Sequence, residues 1–166
     1  GRNAIDLELV EVFPFAPGFS VKTAPSMQSV MAPTGKHYRG IIKGQERSVA
    51  AISVYDDHIM GLISHPSATG NLIIGQLDGN ENHIIYQDDQ IAHLNGFECQ
   101  AEDNNVNYTS DELRGDHSGT RALTDCVRLY FEVNYDIYLN KGSSTANVTS
   151  FVTGIFNQLS TLYASE

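Results

Sequence analysis

His37–Ser64, HYRGIIKGQERSVAAISVYDDHIMGLIS, decides the fold. It divides into three short strands. Tyr38–Lys43 has Ile41 and Ile42 as its apolar centre. Gly44-Gln45-Glu46-Arg47 is a polar turn. Ser48–Tyr55 follows, with Val49, Ala51 and, after a one-step register change, Val54 as apolar positions. Asp56-Asp57 closes it, and His58–Ser64 is the third strand. β-branched and aromatic residues bounded by Gly and Asp clusters mark strands. Connections this short make the neighbours antiparallel, so the stretch is a β-meander with one face to bury.

The chain on either side extends the β pattern. Asp6–Val12 sets Leu7 and Leu9 against acidic neighbours and reads as an opening strand. Phe13–Gly18 is a Pro-punctuated turn with two aromatics, and Phe19–Thr23 is a candidate strand. Ala24–Lys36 contains two prolines and mostly small or polar residues, which predicts a loop. After the meander, Asn71–Leu77 and His83–Gln87 flank the turn Asp78–Asn82 and form two more strands. About eight strands within residues 5–87 predict a small sandwich or partly closed barrel.

Residues 88–124 are sparse in apolar side chains and rich in Glu, Asp, Asn, Ser and Thr, as expected of an exposed connector. Cys126–Tyr138 then alternates Val127, Leu129, Phe131 and Val133 with Arg128, Tyr130 and Glu132, and predicts a strand. Asn147–Ala164 carries Val148, Phe151, Val152, Ile155, Phe156, Leu159, Leu162 and Tyr163 at a 3.6-residue period. This predicts an amphipathic helix with Ser144 or Thr145 as its N-cap, and with Gly154 allowing close approach to a sheet. The expected fold class is α+β: a mainly antiparallel β N-terminal unit, sandwich or partly closed barrel, followed by one strand and one long amphipathic helix. The expected organisation is a β domain over 1–95, a connector over 96–124, and a βα segment over 125–166. A strand and helix ordinarily continue into a second, parallel strand. The chain reaches Glu166 first, so either the helix packs on the β unit or the chain is part of something longer. It begins at Gly1 with neither a signal peptide nor an initiator Met, as expected of a processed product or trimmed piece.

The 166 residues and 41% hydrophobic content support a real core. A net charge of −10 argues against nucleic acid or an anionic membrane as partner, since both demand an excess of Lys and Arg. No apolar run approaches the ~20 residues of a spanning helix. The histidines at 37, 58, 65, 83, 93 and 117 include no pair at i, i+4 and no HExxH. His58 and His65, at strand ends, are read as turn or surface residues. Asp56-Asp57 and Asp88-Asp89 are read as turn formers, with calcium binding as the lesser alternative. Asn107-Tyr108-Thr109 and Asn147-Val148-Thr149 match the glycosylation pattern, which would mean little in a bacterial protein. Nothing here assigns a cofactor or metal ligand to this chain.

The meander resembles the propeptide of adamalysin/reprolysin-type (metzincin) zinc metalloproteases, in the form carried by secreted bacterial members. Tyr38, Gly40, Gly44, Ser48, Ser53, Gly61 and Ile63 carry the likeness. VRLYFEVNYDIYLNKGS and the following VTSFVTGIFNQLSTLYAS are similar to the first strand and first long helix of that family's catalytic domain. The order of propeptide, acidic connector, catalytic strand and helix is also the family's. The resemblance implies a secreted or cell-surface precursor whose zinc is held by H-E-x-x-H-x-x-G-x-x-H in the full-length protein, downstream of Glu166, so this chain is not expected to be active. The partner it implies is the catalytic domain of the same precursor.

It also implies a role for Cys99, since a propeptide cysteine in this family can cap the catalytic zinc. The familiar switch has Gly after the cysteine, and here Gln100 follows. A disulfide between Cys99 and Cys126, or a free thiol, are the alternatives. At the level of function, the alternative is a self-contained extracellular β-sandwich binding module with a packed C-terminal helix.

Overall fold

A computed structural model describes residues 4–30, 35–77, 79–92 and 129–165. The strands are β1 (Leu7–Val12), β2 (Val21–Thr23), β3 (Gln28–Val30), β4 (Lys36–Ile42), β5 (Gln45–Val54), β6 (Ile59–Ser64), β7 (Leu72–Gln76) and β8 (His83–Gln87). The helices are α1 (Tyr135–Asn140) and α2 (Thr145–Ser165). The described residues within 4–91 and 131–165 form one compact unit. The α+β class holds, with antiparallel strands first and one long helix last.

Six strands lie in one open antiparallel sheet, ordered β1-β4-β5-β6-β7-β8. A sandwich or partly closed barrel was expected. Instead α2 supplies the second layer, packed across β4, β5 and β6. β2 and β3 pair separately as a small hairpin, so part of the Pro-containing 24–36 stretch is strand and not loop. Residues 129–134 pair with no described strand, and the chain enters α1 at Tyr135. The strand expected over Cys126–Tyr138 is therefore not formed across 129–138, and 126–128 lie outside the described residues. Asn134 explains the change: its side chain accepts from Ile137 N at 3.0 Å, an N-cap that starts a helix where alternation alone suggested a strand.

The meander is tighter than its polar residues implied. Ile42 pairs with Gln45 across Lys43-Gly44, and Gly44 supplies the positive φ of +76° that the turn requires. Gln45, Glu46 and Arg47 belong to β5. The β4–β5 register changes where Ile41 of β4 stands opposite residues 46–49 of β5, so the extra residues are on β5, and β5 pairs with β6 without a shift. Ser48 secures the bulge: its hydroxyl accepts from Ile42 N at 2.8 Å and donates to Gln45 O at 2.6 Å.

With the register fixed, strand alternation sorts the side chains. Ala50, Ile52 and Ile63 centre an apolar cluster with Leu7, Tyr38, Ile42, Val54, Leu72 and Ile74. The opposite face carries His37 and Arg39 from β4, Ala51 and Ser53 from β5 with Tyr55 just beyond it, and Met60 and Leu62 from β6. α2 lies on this second, more polar face.

The sheet packs tightly backbone to backbone at Gly40, where an added Cβ would collide with the Glu8 carbonyl of β1. At Gly75 nothing lies within 4 Å. Gly40→Ala should therefore cost about 1–3 kcal/mol, because the obstacle is backbone that cannot swing away, while Gly75→Ala should stay within about 0.5 kcal/mol. Urea unfolding midpoints of the two variants check the contrast.

Candidate functional site: a buried polar seam between helix and sheet

α2 starts where Ser144 caps it, with the hydroxyl accepting from Asn147 N at 3.3 Å. It then presents an unexpected side to the sheet. Its buried residues are Thr149, Ser150, Thr153, Gly154, Asn157 and Thr161, which recur at helical spacing and include no large apolar side chain. At about 100° per residue, Val148, Ile155 and Leu159 fall roughly 160–180° away from Asn157, on the opposite side of the helix. The apolar period is real, but its face points away from the sheet. Ile155 is 39% exposed and Tyr163 72%, while Phe151, Val152 and Leu159 are half-buried. Part of their cover is local: Lys141 Nζ sits 4.0 Å over the Phe151 ring, and Phe131 meets Phe156 edge to face at 5.8 Å.

The inversion follows from what small residues permit. Gly154 lets the Met60 thioether of β6 fill the place of a side chain, so helix and sheet approach closely. The threonines fold their hydroxyls back on the helix: Thr153 Oγ1 donates to Thr149 O at 2.7 Å, and Thr161 Oγ1 to Asn157 O at 2.6 Å.

Asn157 is the centre of the seam and 0% exposed. Its Nδ2 donates towards Ile52 O (3.2 Å), Ser53 Oγ (3.3 Å) and Tyr38 O (3.4 Å), so one amide reaches both β4 and β5. Its Oδ1 accepts from Arg39 Nε at 3.3 Å. Arg39 Nη2 continues to Ser160 Oγ at 2.6 Å, and Ser160 donates its own hydrogen to Phe156 O at 2.7 Å. Burial lowers the Arg39 pKa, yet a guanidinium stays charged across the physiological range.

Two further contacts extend the seam. Tyr55 OH lies 2.8 Å from Thr153 Oγ1. Thr153 has already given its hydrogen to the helix backbone, so the phenol is the donor. Burial raises the Tyr55 pKa, outweighing the hydrogen bonds that lower it. His37 Nδ1 lies 2.9 Å from Ser53 Oγ, with His37 3% and Ser53 0% exposed. Burial chiefly, and then the Arg39 charge, lowers the His37 pKa. Phe15 packs edge-on to His37 at 5.1 Å and stacks on Phe19 at 4.6 Å, so the FPFAPG turn anchors one aromatic over the end of the seam.

A Ser–His pair at 2.9 Å invites comparison with nucleophilic catalysis. Both groups are buried under the helix, where no substrate atom reaches Ser53. The arrangement is suited to holding the helix. A shallow open cavity of about 290 Å³ lies beside the seam, lined by Gly35, Tyr55, Asp56, Asp57, Ala146, Asn147 and Ser150. Every buried side-chain N or O atom among the described residues has a hydrogen-bond partner.

The residues singled out from the sequence are placed as follows. His58 Nδ1 contacts Asp57 Oδ1 at 2.6 Å, and its ring stacks on Tyr55 at 4.7 Å. The hydrogen bond from His58 lowers the Asp57 pKa. His65 Nδ1 accepts from Ser67 N at 3.2 Å. Asp88 accepts from Asn71 N and Nδ2, both at 2.8 Å, and these bonds lower its pKa. Asp89 accepts from Thr69 at 2.9 Å, so this pair organises a turn. Asn147 stands in the first turn of α2, with Nδ2 donating to Lys141 O at 3.2 Å. Cys99, Cys126, Asn107, His93 and His117 lie outside the described residues, as does the 96–124 connector. Among the described residues no three His, Cys, Asp or Glu side chains are grouped to hold a metal ion, and no helix is long and apolar enough to cross a membrane.

Comparison with protein-family models, with curated proteins and with solved structures finds no match.

Asn157→Leu should destabilise the protein by about 1–3 kcal/mol despite the gain in hydrophobicity, because Arg39 loses an acceptor and strand carbonyls lose donors under the helix. Tyr55→Phe, which removes one hydrogen bond and leaves the ring, should cost about 1 kcal/mol. Denaturant midpoints followed by circular dichroism measure both.

Proposed function

We propose that this chain is the inhibitory and folding-assisting propeptide region of a secreted zinc metalloendopeptidase precursor, joined to the N-terminal edge of its catalytic domain. The observation that carries the proposal is the orientation of α2. A helix that completed a self-contained domain would turn its apolar stripe to the sheet. Here the sheet receives the stripe of small and polar residues, and Val148, Val152, Ile155 and Leu159 face the other way. Such a helix has two sides to satisfy. One fits the propeptide sheet through direction-specific hydrogen bonds, and the other is shaped to enter the core of a second layer. The first catalytic helix of a metzincin, held by its own propeptide, has that double requirement. The residues that carry the family resemblance lie on these same elements: Tyr38 and Gly40 on β4, Ser48 and Ser53 on β5, Gly61 and Ile63 on β6.

In this reading the zinc is bound by histidines of the downstream catalytic region and not by residues of this chain. The sheet keeps the enzyme latent by retaining α2, and residues 96–124 are the place for the activating cut. Cys99 is the candidate zinc cap, with a thiolate filling the fourth position that water needs for attack. The Cys99–Cys126 disulfide and a free thiol remain its alternatives.

The second reading, an extracellular β-module with a packed C-terminal helix, is favoured by the complete hydrogen bonding of the seam.

Two experiments separate the readings. The coding sequence after Glu166 should encode H-E-x-x-H-x-x-G-x-x-H, and the precursor should hydrolyse a fluorogenic peptide only after cleavage between residues 96 and 124. Absence of the motif, or equal activity before and after cleavage, sinks the propeptide reading. In the present chain, Val152→Asp with Leu159→Asp should shift stability by no more than about 1 kcal/mol and should reduce self-association, because that face is not packed on the sheet. A loss of several kcal/mol in thermal or urea unfolding would show that the apolar face already completes a core, and would favour the module.

A further inference from the structure

We propose that His37 makes the joint between α2 and the sheet proton-sensitive, so that mild acidification frees the helix while the sheet stays folded. This needs only the sheet and the helix, and it holds whether or not the chain is a propeptide.

The hydrogens in the seam run in one direction. Asn157 Nδ2 donates to Ser53 Oγ, and the Ser53 hydroxyl then has one hydrogen left to give. His37 Nδ1, 2.9 Å away, takes it if the imidazole is neutral and carries its hydrogen on Nε2. A protonated ring must donate from Nδ1. Ser53 would then receive from both sides, and its own hydrogen would have to turn from His37 to the Tyr55 phenol, breaking the order of the seam in a site that is 0% exposed.

The charges around His37 give a second cation no compensation. On its own strand the nearest charged group facing the seam is Arg39, which is already committed to Asn157 and Ser160. Lys36 adjoins it in sequence. β5 contributes Ser53 and, next to the strand, Tyr55, whose ring lies edge-on at 6.0 Å and which burial keeps a neutral phenol. β1 sets Val12 opposite His37, and its carboxylate on this face, Glu8, is paired across from Ile41, beyond Arg39. α2 brings Asn157, Thr153 and Ser160, all uncharged, and the 13–19 turn brings Phe15. Asp57 is engaged with His58, on the far side of Tyr55. Among the described residues the only ion pair is that of His58 with Asp57.

The direction of the effect follows. The folded-state pKa of His37 lies below its ordinary value of 6.5, so at intermediate pH the open state binds the extra proton. The joint is at full strength above about pH 6.5 and weakens as pH falls through that value toward the folded pKa. Each unit between the two pKa values multiplies the opening constant about tenfold.

Hydrogen exchange with mass readout on the full chain, corrected for intrinsic rates, tests this at roughly pH 7.5, 6.5 and 5.5. Amides of α2 should become several-fold more exchangeable at the lowest pH, while those of β5 and β6 hold. His37→Gln should abolish the pH dependence, and the five other histidines are common to both proteins. A flat wild-type response, the same response in His37→Gln, or equal loosening of helix and sheet overturns the proposal. Should His37→Gln fail to fold, titration of the His37 ring by NMR in the wild-type chain decides. A midpoint below 6.5 that coincides with α2 opening supports the proposal, and a midpoint at or above 6.5 overturns it.

Discussion

One side-chain amide holds the two layers of this protein together. Asn157 descends from α2 onto the sheet, donates to the main chain of β4 and β5, and accepts from Arg39. An amide so placed must be fully paired, because a buried polar group without partners costs more than it returns. The other features of the joint follow from that demand. The helix must lie close enough for Nδ2 to reach strand carbonyls, which requires Gly154 over Met60 and threonines in place of larger residues. Arg39 must be directed up and not along the strand, which Ser160 secures. Ser53 must be small enough to sit beneath the amide. Hydrogen bonds have direction where apolar contact does not, so this joint fixes the rotation of α2 about its own axis as well as its distance from the sheet.

That rotation gives the fold its unusual division of labour. One sheet face carries the apolar cluster around Ala50, Ile52 and Ile63. The other face is a docking surface for a helix and is chemically mixed. A strand such as β5 serves both. Ala50 and Ile52 point one way and Ala51 and Ser53 the other, which is why its sequence reads as a nearly continuous small and apolar run and not as a clean alternation.

Much of the architecture was legible in the amino-acid order. The meander, the opening strand, the 71–87 hairpin and the long helix stand out because each is a strong local period bounded by Gly, Asp or Asn. The misplaced features share one cause, which is that short-range pattern does not show what a residue meets across space. The run Val127 to Val133 alternates as a strand does, but the Asn134 cap diverts the chain into α1. The register change was placed between Ala51 and Val54 because Val54 breaks step with Ala51, whereas it lies earlier in β5, where residues 46–49 stand opposite the single Ile41 of β4 and Ser48 bridges to Ile42. The seam was hidden more deeply. The apolar stripe of α2 is the louder signal and draws attention to the wrong face. The quieter one, Thr149, Thr153, Asn157 and Thr161 at a spacing of four with Ser150 and Gly154 alongside, marks the contact with the sheet. His37, Arg39 and Ser53 occupy alternate strand positions, and only the β4–β5 register brings them under the same helix.

A joint made this way also has a thermal character of its own. Heat-capacity change on opening scales with the apolar area exposed and is reduced by polar area. Lifting α2 from the sheet would uncover hydroxyls, an amide and a guanidinium more than hydrocarbon, so its heat-capacity change is small beside that of unfolding the sheet. The strength of the joint therefore varies little in slope with temperature, while the stability of the sheet follows the curved dependence of a hydrophobic core. Cooling and warming move the two layers along different curves, and the order in which helix and sheet come apart is a function of temperature as well as of sequence.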